Sequence, residues 1–183
     1  IKDSNSGGAT LAIGGGNTAD YTQQSALIGV NNTLTGTESG IAQYNALTGF
    51  NNTATGVTNV TVTGTNNTVS DSTSIVNLGN ENAVSESNNT ILLGDNRTVE
   101  GSDNSIILGS ANKSTSSTLR AAAATTLTTE ADNVVVMGYN ANATVDDGVA
   151  LGSNSVASVD KGVDGYNPST KKLTGTAWTS TLG

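Results

Sequence analysis

Residues 74–110 read SIVNLGNENAVSESNNTILLGDNRTVEGSDNSIILGS, and three short apolar runs within them end on Gly79, Gly94 and Gly109. The chain therefore repeats itself every 15 residues in this stretch. A short fixed period that carries a strand and a glycine indicates a solenoid, in which each repeat forms one coil and stacks on its neighbours. We call these residues the repeat glycines and number the positions of each coil from its own glycine, so that position −2 is two residues before it.

The same register extends in both directions along the chain. Successive repeat glycines are separated by 15, 20, 15, 15, 15, 15, 29 and 14 residues. We predict that they are structural turn residues and that they mark nine coils. The repeat glycines are Gly14, Gly29, Gly49, Gly64, Gly79, Gly94, Gly109, Gly138 and Gly152.

Apolar residues recur on both sides of each repeat glycine. Positions −3 and −1 are mostly apolar, which predicts a strand whose side chains at these positions point into the coil. Position +5 carries a second apolar set and predicts a second strand. Asparagine pairs such as Asn31 and Asn32 follow several glycines and suit turns that need positive φ. Two strands and two turns make one flattened coil, and stacked coils pair each strand with its copy about 4.8 Å away.

Position −2 is also apolar, and the alternation predicts that its side chain points away from the coil. Positions +4 and +6 of the second strand are polar instead. A long apolar stripe on a solvent-exposed surface marks an interface, and no amphipathic helix is present in the sequence to cover it. We therefore expect copies of the chain to associate through this stripe. The candidate interface residues are Leu27, Leu47, Val62, Leu92, Ile107 and Val136.

Composition excludes several classes of function. The net charge of −8 and the absence of a basic cluster argue against binding of nucleic acid or anionic lipid. The chain has no cysteine and no histidine, so it lacks thiolates and the commonest metal ligand and general base. No run of eighteen apolar residues occurs, and we expect no membrane contact by this segment itself. We expect no catalytic residues, no cofactor and no metal, and hence a protein that is not an enzyme.

Two insertions interrupt the period. Five extra residues enter near residues 37–43, where we predict a bulging turn. The 29-residue step leaves two alternatives for residues 113–133: a degenerate coil with Ala124 in the glycine position, or a surface excursion. We favour the excursion because alanine is a poor strand former and no glycine or asparagine is available to turn there. Irregular loops on a rigid scaffold often carry specificity, although the sequence identifies no ligand-binding residue.

Units such as NSIILGSAN, DGVALGSNSVA and DNVVVMGYNANA resemble the head repeats of trimeric autotransporter adhesins, the YadA-like heads. The resemblance covers residues 11–158 and rests on nine glycine-anchored units. Residues 159–183 abandon the period and contain VDGYNPSTKK and TAWTSTLG, which are similar to a head-insert segment of that family. We therefore divide the chain into head repeats over residues 1–158 and a head-insert segment over residues 159–183.

The resemblance implies a left-handed parallel β-roll assembled as a homotrimer. It also implies an adhesin on the bacterial surface, anchored in the outer membrane through a C-terminal region outside this chain. The partners would be a host extracellular-matrix protein, a host-cell receptor or a ligand on other bacteria. The alternative is an ice-binding β-solenoid, because an outward ladder of threonines recurs at position +4. Its members are Thr18, Thr33, Thr53, Thr68 and Thr98.

Overall fold

The computed structural model describes residues 1, 9–113, 127–160 and 169, and the backbone of residues 164–167 and 172–177. It confirms the predicted all-β parallel solenoid of about nine coils, and the described residues contain no helix. The strands in chain order are β1 (Thr10–Ile13), β2 (Thr18–Asp20), β3 (Thr22–Gln23), β4 (Ser25–Val30), β5 (Thr33–Thr35), β6 (Ala42–Gln43), β7 (Ala46–Phe50), β8 (Thr53–Thr55), β9 (Thr61–Thr65), β10 (Thr68–Ser70), β11 (Thr73–Asn80), β12 (Ala83–Ser85), β13 (Asn88–Leu93), β14 (Thr98–Glu100), β15 (Ile106–Leu108), β16 (Thr128–Thr129), β17 (Val135–Met137), β18 (Asn142–Ala143), β19 (Val149–Leu151), β20 (Val156–Ala157), β21 (Asp164–Asn167) and β22 (Lys172–Ala177).

Two parallel sheets form the long sides of the solenoid. The nine-stranded sheet has the order β1-β4-β7-β9-β11-β13-β15-β17-β19, and the seven-stranded sheet has the order β16-β14-β12-β10-β8-β5-β2. Each strand pairs with the same positions of the next coil, so that Gly49 lies beside Gly64 and Gly64 beside Gly79. Residues that are one period apart in the sequence are therefore paired with one another in the sheet.

Each coil has a third, shorter side that the prediction of two turns did not include. β3 pairs with β6 on this side, and isolated bridges continue the pairing from Gln43 to Thr58 and from Thr58 to Thr73. In each 15-residue coil the chain bends at three left-handed residues, which are Asn66, Asp71 and Ser74 in one example, with φ of 57°, 46° and 58°. Near the third bend the side chains of Ser72 and Ile75 are buried in the core, while Thr73 between them is exposed.

The core shows that the predicted facing of the first strand is wrong. Side chains at position −2 point into the coil, and those at −3 and −1 point outward. In these strands, position −2 is apolar as well as positions −3 and −1, so the alternation alone did not distinguish the inner from the outer side. The six candidate interface residues are each 0% exposed within a single chain and therefore cannot lie between copies: Leu27, Leu47, Val62, Leu92, Ile107 and Val136.

The repeat glycines end the strands of the nine-stranded sheet in a conformation that excludes a side chain. Gly79 has φ of +145°, and a Cβ built on it would lie 1.8 Å from the carbonyl oxygen of Gly94. The left-handed corner itself follows two residues later, at Glu81 in this coil. Glycine is needed here because the backbones of neighbouring coils approach so closely.

Both insertions leave the stacking of the coils intact. In the first, Thr37 and Gly40 close a turn with reciprocal backbone hydrogen bonds of 2.9 and 3.2 Å, and Ala42 is buried again. In the second, β15 pairs directly with β17, so no strand of an additional coil lies between them. That pairing excludes the degenerate coil, although Ala124 lies outside the described residues. Beyond the solenoid, β21 and β22 form an antiparallel pair.

Candidate interaction surface

The outer side of the nine-stranded sheet is an exposed apolar surface, formed by the side chains at positions −3 and −1 of the nine coils. We call it the apolar face. Its smaller or more sheltered members include Ala26, Val76, Leu78 and Val149, which are half-buried. Its large members are between 39% and 60% exposed: Leu11, Ile13, Ile28, Ile91, Leu93, Ile106, Met137 and Leu151.

The strands beneath this face are apolar on both sides. In β13, Leu92 is buried in the core while Ile91 and Leu93 on either side of it face outward. Continuous apolar runs are typical of parallel sheets that are covered on both faces. Within one chain, however, the core covers only the inner side of this sheet. The outer side therefore has the composition of a buried surface without a cover among the described residues.

One coil interrupts the apolar face. The outward side chains of β9 are Thr61, Thr63 and Thr65, whereas the neighbouring β11 presents Val76 and Leu78. Of the nine strands in this sheet, β9 alone has threonine at both −3 and −1. In the adjacent β7, Thr48 at position −1 is exposed and pairs with Thr63. The face is therefore apolar at both ends and polar over these two neighbouring strands.

Aromatic and aliphatic side chains at position +1 extend the apolar face towards the glycine corner. Val30 is 44% exposed, Phe50 47% and Tyr139 49%. The hydroxyl of Tyr139 donates a hydrogen bond to the side-chain oxygen of Asn112. These residues widen the apolar area at both ends of the solenoid.

The outer side of the seven-stranded sheet is polar, as the sequence predicts. Position +5 is buried, while Thr18, Thr55 and Thr68 face solvent. The prediction is wrong for Asn142, which is only 5% exposed. Its side chain accepts a 2.7 Å hydrogen bond from Thr129 and donates one of 2.8 Å to the carbonyl oxygen of Thr128, and these bonds hold it inside.

A buried ladder of asparagines runs along the interior at position +3, a feature that the sequence reasoning missed. The side-chain nitrogen of Asn67 donates to the side-chain oxygen of Asn52 at 2.9 Å and to the carbonyl oxygen of Gly79 at 2.7 Å. Asn52 makes the same two bonds one coil earlier, to Asn32 and Gly64. The ladder thus satisfies the carbonyls that the glycine conformation turns inward. Its sequence signal was an asparagine three residues after the repeat glycine, at Asn17, Asn32, Asn52, Asn67 and Asn82.

Arg97 occupies the next step of this ladder and is 1% exposed. Its guanidinium donates to the carbonyl oxygens of Gly109 at 2.7 Å, Gly138 at 3.1 Å and Ala141 at 2.5 Å, so it spans two coils. The following +3 residues cannot continue the ladder because Asn112 is exposed and Ala141 has no amide. Burial lowers the pKa of the Arg97 guanidinium through desolvation. The three carbonyls compensate this cost by accepting its hydrogen bonds.

Carboxylates occur on the surface of the solenoid without forming a metal site. Lys113 pairs with Glu81 at 2.6 Å, and both side chains are largely exposed. Among the described residues, no group of three or more His, Cys, Asp or Glu could hold a metal ion. The apolar face is therefore the surface feature that most requires an explanation.

No model of a known protein family matches the sequence, and no curated protein matches it significantly. The described residues contain no helix long and apolar enough to cross a membrane.

Proposed function

We propose that this chain is the head module of a trimeric bacterial surface adhesin, displayed on the outer membrane. In this proposal three copies wind left-handed β-rolls side by side and cover one another's apolar faces. The assembly is passive and non-catalytic, and it binds a matrix protein, a host-cell receptor or another bacterium. Three copies raise the effective concentration of each binding surface, so weak sites act together.

The exposed apolar face is the single observation that carries the proposal. Nine strands spaced about 4.8 Å apart, each about four residues long, give roughly 500 Å² of flat sheet per copy. That is at the upper end of the apolar patches that monomers expose, and two such patches together reach the roughly 1,000 Å² expected of a specific interface. A second copy is a suitable cover because it presents a surface of the same shape and polarity.

The glycine-anchored repeats support the identity of the module. Their resemblance to YadA-like head repeats gives the handedness, the number of copies and the adhesive role that we propose. The exposed loop around Thr37 and Gly40 and the corners of the coils are the proposed positions for ligand contact, since they project from a rigid scaffold.

Sedimentation equilibrium on the purified chain tests the assembly, and a panel of matrix proteins, glycans and bacterial surfaces tests the adhesion. We expect a mass of three copies and binding that weakens sharply when the assembly is dissociated by Leu93→Asp. Thr68→Asp, which lies on the polar outer side, is the matched control and keeps the trimer. A chain that is monomeric at tens of micromolar, or a trimer that binds no member of the panel, contradicts the proposal.

A second candidate function is ice binding by the outer side of the seven-stranded sheet. Thr33 pairs in register with Thr53, and Thr53 with Thr68, so their side chains form a regular row on a flat sheet. Ala83 follows Thr68 in the same row and interrupts it. Thermal hysteresis at millimolar protein tests this candidate: hysteresis that disappears in Thr53→Lys favours it, and none at all removes it.

A further inference from the structure

We infer that the third side of the solenoid carries a binding site for a neutral oligosaccharide, between Tyr21 and Tyr44. This inference rests on the proposed function and deepens it, because it assigns a ligand class and a place to the adhesion. The site lies within a single chain and on a different side from the apolar face. Two tyrosines in an unusual backbone conformation are the observation from which the inference starts.

Both tyrosines occupy corners of the coil where a bulky side chain is unfavourable. Tyr21 has φ of 49° and Tyr44 has φ of 59°, in the left-handed region that favours glycine and asparagine. At the corner of Tyr44, the next coils carry Asn59, Ser74 and Asn89 instead. Among the described residues with positive φ, the two tyrosines are the only aromatic ones. The fold therefore does not require aromatic side chains at these corners.

The pairing of the coils places the two tyrosines at opposite ends of the third side. β3 pairs with β6 in the register that brings Gln23 beside Gln43. Tyr21 directly precedes β3, and Tyr44 directly follows β6. Three residues of about 3.3 Å along the strand and one step of about 4.8 Å between coils separate their backbones by roughly 11 Å. This span accommodates a short oligosaccharide.

Amide side chains lie between the tyrosines. The side-chain nitrogen of Gln43 donates a 2.7 Å hydrogen bond to the side-chain oxygen of Gln23, which holds the two half-buried side chains together. The amide nitrogen of Gln23 and the amide oxygen of Gln43 remain available to a ligand. A donor and an acceptor side by side suit the neighbouring hydroxyl groups of a sugar ring, because each hydroxyl both donates and accepts.

The tyrosine rings supply the apolar part of the site. Tyr44 is 57% exposed, and Tyr21 is half-buried. Neither phenol hydroxyl makes a hydrogen bond to another residue in the part of the chain that the structure describes. A tyrosine ring packs its apolar face against the C–H groups of a sugar, and its hydroxyl bonds to the polar groups. Two rings and two amides thus offer both kinds of contact that a sugar needs.

The first insertion borders the site beside Tyr21. The backbone nitrogen of Ala42 donates a 3.0 Å hydrogen bond to the carbonyl oxygen of Tyr21, so the chain returns from the exposed loop next to this residue. The loop carries one carboxylate, Glu38. The cationic side chains that the structure describes, Arg97 and Lys113, belong to later coils. A neutral sugar therefore suits the site better than one with carboxylate or sulfate groups.

A glycan array tests the inference. The probe is a set of immobilised neutral oligosaccharides, with sialylated and sulfated oligosaccharides for comparison. The test variant is Tyr44→Asn, which gives this corner the residue that Asn59 supplies in the next coil. The matched control is Ser74→Asn, the same new residue at the same corner two coils further on. Tyr44→Phe keeps the aromatic ring.

We expect the parent chain to bind neutral members of the array. Tyr44→Asn is expected to weaken this binding by at least about tenfold, because an aromatic anchor often contributes that much at an interface. Its denaturation midpoint stays equal to that of the parent or rises, since asparagine suits the left-handed corner. Ser74→Asn and Tyr44→Phe retain binding.

Three results overturn the inference. They are a parent chain that binds no oligosaccharide or only acidic ones, a Tyr44→Asn variant that binds as the parent does, and a Tyr44→Asn variant that loses stability. The last result would assign Tyr44 to folding. The proposed function stands in each case if the parent trimer binds a matrix protein or a bacterial surface, and it fails separately if the parent chain is monomeric.

Discussion

The two sheets of this solenoid are alike inside and different outside. Both present buried apolar side chains to the common core, for example Leu92 from the nine-stranded sheet and Val99 from the seven-stranded sheet. Outside, one sheet shows aliphatic side chains and the other mainly threonine and serine. Because the inner positions alone enclose the core, the apolar outer side is not needed to fold one chain. The difference therefore separates residues that build the coil from residues available for contact with a partner.

The largest expected effect comes from replacing a buried apolar side chain on the inner side of either sheet with a charged one. Leu92→Asp and Val99→Asp each bury a carboxylate without a partner, and we expect at least about 4 kcal/mol loss in the free energy of unfolding. Leu93→Asp, the next residue on the outer side, is expected to cost about 1 kcal/mol or less in the isolated chain. Denaturant unfolding followed by circular dichroism at low concentration measures these differences. Equal losses for Leu92→Asp and Leu93→Asp would contradict the assignment of the two sides.

The second prediction concerns the repeat glycines of the nine-stranded sheet, whose close approach to the backbone of the next coil has no counterpart at Gly101, the glycine that follows β14 of the seven-stranded sheet. Gly79→Ala places a methyl group against the backbone of Gly94 at a φ that disfavours side chains, and we expect a loss of about 3 kcal/mol in unfolding free energy. Gly15→Ala is the control, since a Cβ there has no neighbour within 4 Å. Thermal unfolding compares the two variants. A tolerated Gly79→Ala would mean that the coils can separate locally at little cost.

The third prediction concerns the buried charge between the two sheets. Arg97→Met removes the donors for three carbonyls, and we expect a loss of about 2 to 3 kcal/mol in unfolding free energy. Lys113→Met removes an exposed cation paired with Glu81 and is expected to change stability by about 0.5 kcal/mol or less. Chemical denaturation measures both. An Arg97→Met protein as stable as the Lys113→Met protein would show that water replaces the guanidinium.

The smallest effect is expected at the one polar side chain among the −2 positions of the nine strands. Asn77 is fully buried, and its side-chain nitrogen has no hydrogen-bond partner. Asn77→Leu removes this unpaired nitrogen and restores the apolar column, but it also removes the side-chain oxygen that accepts a 2.9 Å hydrogen bond from Asn82. The two effects oppose each other, and we expect a net change of about 0.5 kcal/mol or less in unfolding free energy. Asn67→Leu breaks the asparagine ladder and is expected to cost about 2 kcal/mol. Equal losses for the two variants in chemical denaturation would contradict the distinction between the two asparagines.

The spacing of the glycines predicted the solenoid, its parallel sheets and the inner position of the second strand. It could not predict the facing of the first strand, because positions −3, −2 and −1 are all apolar in coils such as that of Gly94. A weaker signal was present: Thr48, Thr61 and Thr63 lie at −3 or −1, whereas Asn77 is the one polar residue at −2. Polar residues collect where solvent can reach them, and that distribution points to the facing that the structure has.

The buried ladder was harder to predict for a physical reason. Consecutive asparagines such as Asn66 and Asn67 both suit a turn, but only the first has positive φ. The second is fully buried and bonds along the axis of the solenoid, which depends on the neighbouring coils and not on local propensity. Arg97 is a clearer sign that position +3 is unusual, since a charged residue at a position otherwise held by asparagine requires a special environment.

From Asn17 to Asn67, the asparagine ladder gives each coil a donor on one side and an acceptor on the other, in the same arrangement from one unit to the next. A duplicated fifteen-residue unit would therefore find its hydrogen bonds already provided by its neighbours, and so would the coils left behind by a deletion. Each such event changes the reach of the molecule by about 4.8 Å. Length can thus evolve in whole steps while the cross-section of the protein stays constant.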